Sequence, residues 1–388
     1  MSLIYRRSLL AAAVAAPGLA AFPRLALAAG PAMFAAPIKL EGQRVWLDVS
    51  VEGLPAEPFI LDTGTTESLI SDSWASEVKL RERGASVIGG LGGVERTSVL
   101  RVNNVVIGGT FRIPYMEFHG TKSVVDGRTR GLIGAPLFTD MDSDLDFVAG
   151  QWRIYPDGRS ERPGMHMIPD SYFTRRASYG LAMPVQIGDF SGRFMLDTGA
   201  PRNILLDGKA ARTLGWWDSD RPYVPVRASG FGQGSLATRM FRADKVRLHK
   251  FAFPGALVTL AEPGPRNGNF PDIDGLVGLE MIRHFHLSTD PKRKQLWVAP
   301  NGLSFAGTER YGMAGTWMEQ KGKRIFIEDI GNGSPAKEAG LRVGDEIVGL
   351  EWSALLRRLG GNRGDVVALD YERGGKRARA EFTLKPYL

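Results

Sequence analysis

The chain has 388 residues, a formal charge of +7 and no cysteine. That length accommodates about two to three domains. The missing thiols exclude disulfides, thiol nucleophiles and zinc–thiolate centres. Its 48 glycines favour a mainly β fold with tight turns over a helical bundle. Basic residues are interleaved with acids and form no aromatic–basic stripe, so nucleic acid is not an expected partner. Of five histidines only His284 and His286 adjoin, with no third ligand near in sequence, and no metal or other cofactor is expected. A serine-nucleophile motif of the GxSxG type is missing.

Residues 1–28 read as an export signal. Arg6-Arg7 opens it, Leu9 to Ala21 is apolar, and Ala26-Leu27-Ala28 is a small-x-small cleavage site. Tyr5-Arg6-Arg7-Ser8-Leu9-Leu10 resembles a twin-arginine signal; ordinary secretion and an uncleaved anchor are the alternatives. The apolar stretch is short and interrupted by Pro17 and Pro23, so no stable membrane span is expected after its removal. The expected location is periplasmic or secreted, and loss of Arg6, Arg7 and Arg24 leaves a charge of about +4.

The body begins with a repeat. Unit one, residues 36–156, opens with alternating Ile38-Lys39-Leu40 and Val45-Trp46-Leu47-Asp48-Val49, a strand period. Then come Phe59-Ile60-Leu61-Asp62-Thr63-Gly64, a glycine-rich run from Val87 to Val94, and Gly131-Leu132-Ile133-Gly134. A short helix from Ala135 to Phe138 and a strand from Gln151 to Tyr155 close the unit. Residues 157–178, rich in Pro, Gly and charge, read as a linker. Unit two, residues 179–300, repeats the order: Phe194-Met195-Leu196-Asp197-Thr198-Gly199, a second glycine-rich run from Ala228 to Ser235, and Gly275-Leu276-Val277-Gly278. A helix from Leu279 to Phe285 and a strand from Gln295 to Val298 follow.

A third unit, residues 303–388, has a strand at Arg324–Ile327. Ser334 caps a short helix with Pro335 at its first position and Gly340 at its end. Ser353 to Leu359 reads as a second helix, and Val366 to Tyr371 and Ala380 to Leu384 as closing strands.

The paired Asp-Thr-Gly motifs, each with an apolar approach and a downstream apolar-apolar-Gly segment, resemble the pepsin-like and retroviral-like aspartic proteases over roughly residues 36–300. The resemblance implies two pseudo-symmetric β lobes. It also implies a catalytic pair, Asp62 and Asp197, supported by Thr63, Gly64, Thr65, Thr198 and Gly199 and braced at Gly134 and Gly278. Two carboxylates about 3 Å apart cannot both ionise cheaply, so one retains a proton; one Asp acts as base on a water while the other serves as acid. The threonine hydroxyls are expected to tie the two loops together. Thr65 is expected to donate a hydroxyl bond to Asp62 that Ala200 cannot supply to Asp197, implying a pH optimum less acidic than a digestive pepsin's.

Ile88, Gly89, Gly90, Gly92 and Gly93 resemble the flap tip of retroviral proteases, and Gly230, Phe231 and Gly232 occupy the corresponding place in unit two. Gly333-Ser334-Pro335-Ala336 and Ala339 to Ile347 resemble a PDZ domain. That resemblance implies capture of an extended peptide or a protein's C-terminus, with Gly312, Met313, Ala314 and Gly315 as the recognition loop. The implied function is an aspartic endopeptidase acting on protein or peptide substrates, with a PDZ ligand peptide as second partner, as a monomer without cofactor. The alternatives are a non-catalytic peptide-binding protein on the same scaffold, and a processing enzyme that cuts only itself or one partner.

Overall fold

A computed structural model describes residues 33–122, 127–159, 161–173, 180–231, 234–263, 272–305 and 311–388. The export signal, Tyr179 at the start of unit two, and Gly232 lie outside the described residues. The protein is mainly β, and the strands of the described residues form three sheets.

Each of the first two units folds around the same crossing. In unit one the strand Glu57–Asp62 runs parallel to Gly131–Gly134, with Phe59 opposite Gly131 and Asp62 opposite Gly134. The short strand Leu69–Ser71 pairs antiparallel with that same brace and parallel with Phe111–Thr121. Unit two repeats this with Phe190–Asp197 parallel to Gly275–Gly278, where Phe194 opposes Gly275 and Asp197 opposes Gly278. Ile204–Leu206 then pairs antiparallel with the brace and parallel with Leu257–Ala261.

The glycines at both ends of each brace have a steric cause. A Cβ on Gly131 would fall on the Leu69 carbonyl and the Phe59 ring; one on Gly275 would fall on the Leu205 carbonyl and the Phe194 ring. Apolar approach and glycine brace are therefore parts of one packing solution. Phe59 is fully buried and packs edge-on to Trp74 and Phe118.

The lobes are joined by a run of six antiparallel strands. Their order is His166–Met167, Gln295–Pro300, Phe285–Asp290, Asp142–Asp146, Gln151–Tyr155 and Phe34–Glu41. The seam between halves lies where Leu287 faces Leu145. Residues 157–178 are thus more than a connection: His166–Met167 enters this sheet, and Tyr172–Phe173 pairs with Leu181–Ile187. The charges that suggest a linker are partly buried instead, with Arg159 and Arg162 paired to Asp142, Asp144 and Asp290.

The helix expected from Leu279 to Phe285 is only Leu279–Ile282, because the backbone turns at Arg283 and Phe285 already belongs to the joining sheet. The first short helix is Pro136–Thr139.

The C-terminal unit has its own five-stranded antiparallel sheet. Its order is Thr316–Lys321, Arg324–Ile330, Glu346–Val348, Val366–Arg373 and Lys376–Thr383. Its separate core includes Ile325, Ile327, Ile347, Leu355, Leu369 and Phe382. Helix Pro335–Glu338 is capped by Ser334, whose Oγ accepts from Lys337 N–H at 3.3 Å. The last strand begins at Lys376, ahead of the expected Ala380. Gly374 and Gly375 (φ 57° and 75°) make a two-residue turn that lets Arg373 face Lys376.

Candidate active site

The two Asp-Thr-Gly loops meet at the lobe junction, and their threonines hold them there. Thr63 Oγ1 donates to the Leu196 carbonyl at 2.8 Å, and Thr198 Oγ1 donates to the Leu61 carbonyl at 2.7 Å. Each hydroxyl also accepts the other threonine's N–H, at 3.0 and 3.1 Å. Both threonines are buried, so these four bonds satisfy polar groups that water cannot reach.

The Asp62 and Asp197 carboxyl groups lie within hydrogen-bonding reach of each other. A Cβ on Gly64 would fall on the Asp197 carboxyl, and one on Gly199 on the Asp62 carboxyl, so each glycine opens the space its partner's acid occupies. Asp197 Oδ1 is buried with no N–H or O–H partner from another described group. A proton held between the two acids satisfies it.

Burial raises both carboxyl pKa values. For Asp197 the charge of Asp62 and the hydrogen bond between the pair add to that rise, against the Gly199 N–H and the charge of Arg202. For Asp62 burial is opposed by the Gly64 N–H, the bond to Asp197, the Arg44 charge and the Thr65 N–H. Gly64 N–H donates to Asp62 Oδ1 at 2.9 Å. Burial and mutual repulsion therefore keep one proton on the pair.

Thr65 departs from expectation. Its hydroxyl donates to the Glu67 carbonyl at 3.1 Å, closing a local turn, and only its backbone N–H supports Asp62. The Thr65 and Ala200 positions instead share a backbone role: the Thr65 carbonyl accepts from Ala135 N–H at 2.9 Å and the Ala200 carbonyl from Leu279 N–H at 2.8 Å. Gly134 and Gly278 stand where a Cβ would meet the Glu67 and Arg202 carbonyls, pressing each brace against its loop.

Both glycine-rich runs are hairpin ends. Glu82–Gly90 pairs with Gly93–Ile107, with Gly90 facing Gly93 and Ile88 facing Glu95. Val224–Ser229 pairs with Ser235–Arg242. Their tips touch: Gly92 N–H donates to the Phe231 carbonyl and Gly234 N–H to the Gly92 carbonyl, both at 2.8 Å. Gly89 lies within the first strand, and Gly230 packs beside Leu91.

Gly312, Met313, Ala314 and Gly315 precede the edge strand of the C-terminal sheet. Ala314 is buried, and its carbonyl accepts from Ala336 N–H at 3.3 Å. Gly315 has φ 71° and abuts Ser334 and Tyr387. His284 and His286 diverge: His284 Nδ1 meets the Leu303 carbonyl, whereas His286 pairs with Asp146. Among the described residues no cluster of metal-ligating side chains occurs.

Two cations escape sequence reasoning. Arg202 follows Asp197 by five residues, a spacing that hints at the site. Arg44 carries no local signal. The turn before it crosses to unit two, where Gln43 Nε2 donates to buried Glu280 at 3.1 Å.

The aspartyl protease family model matches residues 47–137, which span the Asp62 loop, the first glycine-rich hairpin and the first brace. That segment is aspartic-protease-like, and unit two repeats its strand register. Among solved structures, the aspartic proteinase from Irpex lacteus is 13% identical with a TM-score of 0.44, the match covering 70% of this protein and 98% of that one. Basic 7S globulin from soybean is 11% identical with a TM-score of 0.39, covering 73% and 100%. No curated protein matches the sequence.

Proposed function

We propose that this protein is an aspartic endopeptidase that hydrolyses peptide bonds in protein or peptide substrates through Asp62 and Asp197. The observation that carries this reading is the facing pair of acids, each seated against the other loop's glycine. In this reading Asp62 takes a proton from a water that attacks the scissile carbonyl, and Asp197 gives its proton to the carbonyl oxygen. The tetrahedral intermediate collapses when Asp62 passes its acquired proton to the nitrogen, Asp197 takes a proton back from an intermediate hydroxyl, and the C–N bond breaks, which restores the pair. The touching hairpins act as flaps that close on an extended substrate and exclude water.

The proposal extends to the rest of the molecule. The protein is exported to a periplasmic or extracellular location by residues 1–28. It works as a monomer, since one polypeptide supplies both acids. Its C-terminal unit is a PDZ-like module that takes an extended peptide or a protein's C-terminus, with Gly312, Met313, Ala314 and Gly315 as the recognition loop. The capped Pro335–Glu338 helix, joined to that loop by the bond from Ala336 N–H to the Ala314 carbonyl, supports this assignment.

The test is turnover of a mixed peptide pool from about pH 3 to about pH 7, the range of a coupled carboxyl pair. Wild type should cleave, and Asp62→Asn and Asp197→Asn should each lose cleavage while still binding peptide. A wild type that binds peptides but cuts none across this range leaves the scaffold as a binding protein.

A further inference from the structure

The hairpin carrying Phe231 is held by the C-terminal unit as well as by its own lobe. Its outer strand, Val224–Ser229, is an edge strand, and so is Thr316–Lys321 of the C-terminal sheet; the two lie side by side. Tyr223, just before the outer strand, is buried in the turn that follows Arg324–Ile330. Its hydroxyl donates to Asp329 Oδ1 at 2.9 Å and to the Ile330 carbonyl at 3.0 Å. Its N–H donates to the Asn332 carbonyl at 3.4 Å, and its own carbonyl accepts from the Tyr387 hydroxyl at 2.8 Å. A Cβ on Gly331 would fall on that carbonyl, so the glycine permits the close approach.

Nearer the tip, Arg227 pairs with Glu319 at 3.6 Å and lies 5.2 Å over the Trp317 ring, while Trp317 Nε1 donates to the same Glu319 oxygen. On the inner strand, Arg239 stacks on Trp217 and Tyr223, at 4.4 and 4.3 Å, and reaches Asp329 at 3.7 Å. Both strands of the hairpin are therefore tied to the C-terminal unit. The far end of the hairpin is tied to the other flap through Phe231 and Gly234.

We propose that Tyr223 and Arg227 are positioning residues through which the C-terminal unit sets the second flap, and through it the first. The C-terminal unit is then part of the substrate-closing machinery rather than a tethered accessory. An extended hairpin anchored only at its base pivots freely; contacts at Tyr223 and again at Arg227 fix two points along it. The kinetic consequence rests on the hydrolytic reading, whereas the mechanical link does not.

The experiment uses the full-length protein with Tyr223→Phe, Arg227→Glu, Glu319→Arg and the charge-swapped double variant Arg227→Glu/Glu319→Arg. Amide hydrogen exchange at Ser229, Gly230, Phe231 and Gly234 is measured beside kcat, KM and the pH–rate profile on one peptide substrate. Each single variant should speed tip exchange and raise KM several-fold, leave the pH–rate profile in place, and retain a cooperative unfolding transition. The double variant should recover both tip exchange and KM. Unchanged tip exchange in folded Tyr223→Phe and Arg227→Glu overturns the proposal, as does a double variant no better than its singles. If wild type turns over no peptide, the hydrolytic reading fails while hydrogen exchange still decides the flap contact.

Discussion

Thr63 and Thr198 exchange equivalent bonds across the lobe junction: each hydroxyl donates to the carbonyl of the leucine two residues before the other threonine and accepts the other threonine's N–H. Four backbone groups at the lobe junction therefore depend on two side-chain oxygens. Thr63→Ala or Thr198→Ala leaves a buried carbonyl and a buried N–H unsatisfied, which costs about 1–3 kcal/mol for each such group. Denaturant unfolding should show a loss of that order for either alanine, and Thr→Ser at the same positions should recover most of it. Equal losses for Ser and Ala would mean that the methyl packing, not the hydroxyl, is what matters.

The acids themselves should destabilise the fold at neutral pH. A carboxyl whose pKa is higher folded than unfolded contributes most below its ordinary value of 3.8. That contribution is lost as pH rises through the raised value. Burial raises both acids, so the pair opposes folding increasingly from about pH 4 upward, by ~1.4 kcal/mol per unit of rise. Asp197→Asn removes one titrating partner and should gain stability relative to wild type between about pH 4 and about pH 7. Unfolding free energies at both pH values test this; a difference that does not widen with pH contradicts it.

Arg202 should set the upper limb of the activity profile. Its charge favours ionised Asp197 and opposes the larger effects of burial and the Asp62 charge. Arg202→Gln therefore raises the Asp197 pKa further, and the loss of its proton moves to higher pH. The basic limb of kcat/KM should shift upward while the fold, judged by unfolding midpoint near pH 5, changes little. A limb that stays in place would show that the Arg202 charge is screened from the pair.

The parts of this site visible in the sequence are those with local causes. Phe59 and Phe194 belong to the apolar runs that lead into each Asp-Thr-Gly, and Gly134 and Gly278 end the apolar-apolar-Gly segments, so each signal is written within a few residues. The duplication makes them legible, since two Asp-Thr-Gly copies with equal surroundings test one another. Arg44 is hidden because the turn before it docks across the lobes, where Gln43 meets Glu280. The strand at His166–Met167 is hidden because its partner lies near Val298 and its neighbouring charges read as solvated. Thr65 misleads because its hydroxyl goes to the acceptor its local turn presents, the Glu67 carbonyl.

Brace glycines and open glycines should respond differently to the same change. Gly278→Ala forces a Cβ onto the Arg202 carbonyl and against the Ala200 carbonyl, both backbone atoms that cannot yield cheaply. Overpacking of this kind costs about 1–3 kcal/mol or more, and it moves the loop carrying Asp197. Gly84, with nothing within 4 Å of where a methyl group would stand and no left-handed φ, should accept alanine without loss. Thermal unfolding and turnover of the two variants side by side check this; a neutral Gly278→Ala would remove the brace from the account of the site.

The joining sheet carries a charge cluster whose behaviour should depend on pH in a defined direction. Arg162 is almost fully buried, pairs with Asp142 and, at 3.4 Å, with Asp290, and donates to Ser288 Oγ and the Thr289 carbonyl. Burial raises the Asp142 pKa despite Arg159 and Arg162, so the arginines only partly offset its desolvation. Arg162→Met leaves Asp142 and Asp290 without that cation and should cost about 3–5 kcal/mol at neutral pH. With the guanidinium gone both acids bind protons more readily in the fold, so the deficit should shrink as pH falls toward about 4. Unfolding of Arg162→Met and wild type at pH near 7 and near 4 decides it. A deficit that stays constant across that interval would assign Arg162 a packing role in which the two carboxylates take no part.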